Sequence, residues 1–246
     1  NTTTQFPLIS VILASYNGER FIREQLESIL QQTYPNIEVI IVDDCSTDGT
    51  IAILKPYVEK YPFIRLVCNE TNLGYIRNFE KGMLLARGDY IALSDQDDIW
   101  IKDKLEILMS SIGSNEISYS NSELIDEHGN RLNKKMSDIR NQTGYNDCLM
   151  YAIGAWAPGH AMLFKKELVE RCVPFPSIVT HDFWLGFVAT CKGPMKYLDT
   201  PLVLYRQHVS NAIGAVKVAN AVKPKEGKYT RGQKIRQIRS RMELLY

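Results

Sequence analysis

The chain has 246 residues, 45% of them hydrophobic and 23% charged, a globular composition that excludes a disordered or low-complexity chain and gives a core that needs no disulfide or metal staple. The net charge of +1 argues against a whole-chain nucleic-acid binder. It is unevenly spread: residues 217–246 carry nine Lys/Arg and two Asp/Glu, leaving 20 basic and 26 acidic side chains before them.

Residues 1–5 read as a polar lead with no signal-peptide pattern. Residues 8–14 form an apolar run of strand length, as expected for a strand buried on both faces. Residues 19–32 place Ile22, Leu26, Ile29 and Leu30 on one helical face. Residues 37–42 read as a strand, and 47–61 as a helix kinked or split at Pro56. A strand over 64–68 precedes a helix over 75–86, which Arg87-Gly88 would close as a C-cap. Residues 90–94 are a fourth strand and 100–112 a further helix.

Strands alternating with helices predict βαβ units and an α/β fold with a mostly parallel central sheet flanked by helices. The second half is less regular. It suggests strands at 116–120, 161–164, 195–198 and 202–206, a hairpin turning at His128-Gly129-Asn130, and a short helix over 182–190. The expected organisation is one domain over 1–213, including a smaller region on the acceptor side, and a basic tail over 214–246.

The five cysteines, Cys45, Cys68, Cys148, Cys172 and Cys191, are odd in number and form no C-x-x-C pair. They suit a reducing compartment. No apolar run reaches the ~18 residues of a spanning helix.

Three polar clusters follow three of the strands: Ser15-Tyr16-Asn17, Asp43 to Asp48, and Ser94 to Asp98. Such residues also cap helices, but right-handed crossovers put all three loops on one rim, where open α/β sheets bind ligands. Asp95, Asp97 and Asp98 place three carboxylates within four residues. Such a group suits a hard divalent cation, Mg²⁺ or Mn²⁺, that bridges protein to phosphate.

Residues 11–17, 42–50, 72–74, 94–100, 180–184 and 205–208, in that order, resemble the family-2 inverting glycosyltransferases. These have the GT-A (Rossmann-like) fold and use nucleotide-diphospho-sugars. The resemblance covers residues 7–213, and its last three motifs are most similar to bacterial rhamnosyltransferases that use dTDP-L-rhamnose. It implies that Ala14, Ser15, Tyr16 and Asn17 line the nucleotide, with Asp44 or its neighbour Asp43 on the base or ribose. Asp95 and Asp97 would be the D-x-D motif, Asp95 serving nucleotide and metal alike and Asp97 as the more direct ligand. Asp98 would face the sugar or support the metal shell. Arg77 and Asn78 would reach the sugar or phosphate. His208 would complete the metal shell or serve as a structural hydrogen-bonder, and Arg206 would bind the diphosphate.

Asp182 is the candidate general base, since an inverting displacement needs a carboxylate on the acceptor side. The family's acidic pair is here His181-Asp182, so its first member is replaced. Trp156, His160, His181 and Trp184 are the candidate acceptor-side residues. The implied acceptor is a cell-surface glycan or lipid-linked glycan, met at the inner, cytoplasmic face of the membrane. If the tail is helical, Ile235, Ile238, Met242 and Leu245 share one face, which suits a membrane surface or equally a protein neighbour.

Rival readings are weaker. A UDP-hexose donor would keep the class. A sugar nucleotidyltransferase needs a glycine-rich phosphate loop after the first strand, where this chain has only Gly18. A non-catalytic binding module would not need Asp182.

Overall fold

The computed structural model describes residues 6–154 and 157–208. The tail over 214–246 and Trp156 therefore lie outside the described residues.

The first strand, β1 (Ile9–Ser15), is apolar at nearly every position because both of its faces are covered. Ile12 points into one core with Ile40, Val42, Ile91, Leu93, Phe79 and Met83. Its neighbours Val11 and Leu13 point into the other, with Leu26, Ile29, Val39, Ile41 and Ala92. Successive side chains on a strand leave on opposite faces, so a run without polar alternation is the mark of a sheet between two helical layers.

Around β1, the strands β2 (Ile37–Asp43), β3 (Ile64–Cys68) and β4 (Tyr90–Ser94) all run parallel, in the order β3-β2-β1-β4. The intervening helices are α1 (Ile22–Leu30), α2 (Thr50–Lys60) and α3 (Tyr75–Leu84). Ile22, Leu26 and Ile29 are the buried stripe of α1, as their spacing predicts. Pro56 lies inside one continuous α2 and does not split it.

Gly88 is not the helix cap the sequence suggested, since α3 ends at Leu84. Its amide donates to Ser10 Oγ at 2.9 Å, and a Cβ there would lie 2.5 Å from the Leu8 carbonyl oxygen. Gly88 is a close backbone approach.

Beyond β4 the sheet changes character. β5 (Ile99–Trp100) precedes α4 (Lys104–Ile112), so Trp100 belongs to a strand and not to the helix start. β6 (Ile117–Ile125) and β7 (Arg131–Lys135) form the expected hairpin. Then come α5 (Cys148–Gly154), β8 (Met162–Lys165), α6 (Glu167–Cys172), α7 (His181–Thr190) and β9 (Met195–Arg206). The sheet continues β4-β8-β6-β9-β5, with β8 antiparallel to both neighbours and β9 parallel to β6. The two short strands expected at 195–198 and 202–206 are one strand, β9, with register shifts against β6 near Asn121. Among the described residues no helix is long and apolar enough to cross a membrane.

α3 lies so close to the sheet that a Cβ at Gly82 would stand 2.3 Å from Ile12 Cγ2 and 3.1 Å from Val42 Cγ2. Gly82→Ala is therefore expected to destabilise the protein by about 1–3 kcal/mol through overpacking. Urea denaturation would read this as a lowered midpoint. An unchanged midpoint would mean that α3 can shift off β1 freely.

Candidate active site

Parallel alignment brings the ends of β1, β2 and β4 to one rim. Ser15 stands opposite Asp43 and Leu13 opposite Ser94. The three polar clusters leave from these ends, so the rim is a consequence of register.

The two acidic residues after β2 fasten loops. Asp43 accepts from Ser15 Oγ at 2.9 Å, from the Ser46 amide at 2.8 Å and from Ser46 Oγ at 2.6 Å. Asp44 accepts from Asn69 Nδ2 and from the amides of Leu73 and Gly74, each at 2.8 Å. Both carboxylates are buried. Asp43 thus holds the 15–17 loop to the 43–48 loop, and Asp44 draws the Asn72-Leu73-Gly74 turn onto the rim, with Gly74 at a φ of 80°. Tyr16 stands exposed between them. Asn17, at a φ of 48°, accepts from the Thr47 amide at 2.8 Å.

The loop after β4 gathers the carboxylates. His208 Nε2 lies 2.8 Å from Asp97 Oδ2, and its ring packs on Phe21 with centroids 4.9 Å apart. His160 Nδ1 lies 3.7 Å from Asp95 Oδ2 and 3.8 Å from Asp98 Oδ2. The ligand atoms of Asp95, Asp98 and His160 fall within 4.8 Å of one another. His160 is stacked on Tyr205 at 4.6 Å and bonds Ser122 Oγ through Nε2 at 3.0 Å.

The Asp98 side chain is 0% exposed and that of Asp95 42%. Burial, then the charges of Asp97 and Asp95, push the Asp98 carboxyl well above the usual range. Its Oδ1 accepts the Arg206 amide at 3.1 Å, while Oδ2 has no hydrogen-bond partner among the described residues. Burial works to raise the Asp95 carboxyl, but the nearby His160 imidazole outweighs it and holds the group below its ordinary value. Lys104 is fully buried beneath this cluster. It donates to the His160 carbonyl at 2.6 Å and lies 3.4 Å from the centre of the Trp100 ring. Burial lowers its ammonium well below the usual range, against the pull of Asp98 and Asp95.

Asp182 opens α7 with a half-buried carboxylate. Its Oδ1 accepts the Phe183 amide at 2.8 Å, which fixes the side chain. His181 beside it is stacked on Phe79 at 4.3 Å. Burial lowers its imidazole below the ordinary value, while the charges of Asp182 and then Asp95 pull the other way. His181 thus lies in the field of both carboxylates. Gly159 closes this corner, where a Cβ would stand 2.8 Å from His181 Nε2 and 3.4 Å from Asp182 Cβ.

Several residues stand elsewhere than the sequence suggested. Asn78 is buried, donating to the Val42 carbonyl at 2.8 Å and accepting from Asn69 Nδ2 at 2.9 Å, so it ties α3 to β2 and is not offered to a ligand. Arg77 is paired with Glu80 on its own helix. Arg206 is buried and spends its guanidinium on the protein: Nε donates to the Asp97 carbonyl at 2.8 Å, Nη1 faces the Asp126 and Glu127 carbonyls, and Nη2 pairs with Glu24. Its expected role on a diphosphate gives way to that of a rivet under the 95–98 loop. Trp184, expected to meet the acceptor, ties α7 to α6, its indole donating to the Cys172 carbonyl at 2.8 Å. His160, expected near the acceptor, instead meets Asp95 and Asp98.

Lys104, Ser122, Phe21 and Gly159 had no signal in the sequence. Each acts on a residue more than 20 positions away, and no local pattern announces such a contact.

The pattern of the family described as Glycosyl transferase family 2 matches residues 10–172. A dTDP-rhamnosyl transferase, RfbG of Shigella flexneri, is 33% identical over 82% of this chain and 74% of its own length. A putative teichuronic acid biosynthesis glycosyltransferase, TuaG of Bacillus subtilis, is 39% identical over 86% of this chain and 83% of its own. Among solved structures, S. aureus TarS 1–349 in complex with UDP-GlcNAc superposes with a TM-score of 0.68 at 21% identity, covering 95% of this chain. The mannosyltransferase PcManGT of Pyrobaculum calidifontis, in complex with GDP-Man and Mn²⁺, gives 0.65 at 22%, covering 98%. The chain spans 66% and 65% of those two chains, and at such identities the likeness is one of fold.

Proposed function

The chain belongs to glycosyl transferase family 2, and we propose that it is an inverting, cation-dependent enzyme moving L-rhamnose from dTDP-L-rhamnose onto a cell-surface glycan. The observation that carries this reading is the meeting of two carboxylate sets around one imidazole. Asp182, its neighbour in sequence, and Asp95 both act on the His181 ring, and the Gly159-His160 turn joins them: a Cβ at Gly159 would stand 2.8 Å from His181 Nε2, while His160 Nδ1 lies 3.7 Å from Asp95 Oδ2. A displacement needs such an arrangement: a base for the incoming hydroxyl facing a site for the departing diphosphate.

Asp182 takes the proton of the acceptor hydroxyl. The freed oxygen forms its bond to the anomeric carbon while the bond from that carbon to the diphosphate oxygen breaks, and the electron pair leaves with the diphosphate. A β-linked donor then yields an α-rhamnoside. The Ala14 to Asn17 loop receives the nucleoside, with the exposed Tyr16 ring available to stack on the base. Asp43 and Asp44 act on that loop and its neighbour by holding them.

The donor set suits a divalent cation. Carboxylates with imidazole fit Mn²⁺ better than Mg²⁺, and Asp98 Oδ2, buried and without a hydrogen-bond partner among the described residues, is an atom that a cation would satisfy. Asp95 and Asp97 with His208 would hold the ion, and Asp98 and His160, whose ligand atoms fall within 4.8 Å of that of Asp95, would complete its shell. Such an ion neutralises charge gathering on the leaving diphosphate. The donor sugar rests on the likeness to the Shigella rhamnosyl transferase. On this reading the basic segment 214–246 would bring the enzyme to a lipid-linked acceptor at the inner membrane face.

Calorimetric titration of dTDP, UDP and GDP, each with Mn²⁺, with Mg²⁺ and with chelator, tests this. Metal-dependent preference for dTDP is the expected result. Preference for UDP would keep the class and replace the donor sugar. No binding of any would overturn the nucleotide reading of the rim.

A further inference from the structure

Gln96 is the middle residue of the acidic cluster, and nothing in the chemistry above uses it. Its carboxamide makes two hydrogen bonds to one residue 80 positions away: Oε1 accepts the Tyr16 amide at 2.8 Å, and Nε2 donates to the Tyr16 carbonyl at 3.0 Å. One side chain thus supplies the pair of bonds that a neighbouring strand would supply. The orientation of the amide is not arbitrary, because the backbone N–H requires the oxygen and the carbonyl requires the nitrogen.

The fit is tight on its far side. A Cβ at Gly18 would stand 2.3 Å from Gln96 Oε1 and 2.7 Å from Cδ, so glycine at 18 is what leaves room for the clip. Two of the loop's amides are held by the 43–50 segment: that of Asn17 donates to Ser46 Oγ and that of Gly18 to Thr50 Oγ1, both at 2.8 Å. Among the described residues, Gln96 is the hydrogen-bonding side chain joining residues 16–18 to the carboxylate loop.

We propose that Gln96 couples the two halves of the site: a cation drawn in by Asp95 and Asp97 fixes the backbone on both sides of Gln96, and the clip passes that order to the Tyr16–Gly18 loop that receives the nucleoside. The inference rests on the cation and nucleotide reading given above. Gln96 is a positioning residue in this scheme. Its consequence is thermodynamic: cation and nucleoside assist each other through the protein, beyond any direct contact between metal and diphosphate, and the assistance is reciprocal.

The test separates those two routes. Affinities of dTDP and of dTMP, which lacks the second phosphate, are measured with Mn²⁺ and with chelator in the wild type, Q96A, G18A and the double variant. Amide exchange at Asn17 and Gly18 is followed with Mn²⁺ alone. In the wild type, Mn²⁺ is expected to slow exchange at both amides and to tighten dTMP by a factor within the usual span of about five- to 150-fold. In Q96A the slowing disappears and the gain for dTMP falls towards one, while dTDP keeps the part due to direct contact. G18A displaces the Gln96 side chain and gives the same result, and the double variant is no worse than either single, as two changes to one contact require.

Because Gln96 belongs to neither apolar core, its truncation leaves a folded protein to measure. Full Mn²⁺ gain and full slowing in Q96A would overturn the coupling and leave the functional reading standing. A wild type in which Mn²⁺ does nothing for dTDP itself would bring down both.

Discussion

Asp182→Asn is expected to abolish transfer, with kcat falling by a factor on the order of 10²–10⁴, the range that a positioned general base supplies. That corresponds to about 3–5 kcal/mol of barrier. The substitution is close to isosteric. An asparagine oxygen can still accept the Phe183 amide that Asp182 Oδ1 accepts at 2.8 Å, so the start of α7 and the His181 ring keep their places. What the amide cannot do is take a proton. On the proposed reading donor binding falls to the β1, β2 and β4 loops and should stay close to that of the wild type. Steady-state transfer assays paired with dTDP calorimetry would read the split. A D182N enzyme that transfers at the wild-type rate would place the base elsewhere. One that lost dTDP affinity as well would show Asp182 to be a donor ligand and not a base.

The contrast between what was and was not legible in the sequence follows from where the information sits. β1 through β4 could be read because each is a local pattern: an apolar run, then a polar cluster, then a helical stripe. Parallel register then forces Ser15, Asp43 and Ser94 to one rim, so the rim could be inferred without coordinates. The direction in which a rim side chain turns is not local. Arg206 reads as a phosphate ligand because a guanidinium beside a nucleotide-binding rim suits one, yet Glu24, Asp97, Asp126 and Glu127 already engage it. Asn78 follows a loop motif and looks available, but Val42 and Asn69 hold both ends of its amide. Trp100 reads as a helix start, and the pairing of β5 with β9, some 100 residues on in sequence, makes it a strand. In each case a long-range partner settles a choice that the local pattern leaves open.

Removal of the divalent cation is expected to be the other large loss. Chelation should lower transfer by a factor on the order of 10²–10³, the scale seen when one electrostatic stabiliser of a developing anion is removed. Asp97→Asn should reproduce much of that loss at sub-saturating Mn²⁺ and recover part of it as Mn²⁺ is raised, because it weakens one ligand and leaves Asp95 and His208 in place. Its fold should survive, since His208 Nε2 can still donate to the amide oxygen across the 2.8 Å contact it now makes with Asp97. The readout independent of turnover is the rise in melting temperature on adding Mn²⁺. A ligand that binds only the folded state stabilises it in proportion to the logarithm of its excess over Kd, so D97N should shift that titration to higher Mn²⁺. Phe21→Leu, which removes the ring packed on His208, should shift it the same way by a smaller step, because it loosens the imidazole without deleting a ligand. Transfer that persists undiminished in chelator would mean that the positive charge opposing the diphosphate comes from the protein itself. Two cations beside the cluster are poor substitutes: Lys104 is sealed beneath it and Arg206 is already engaged.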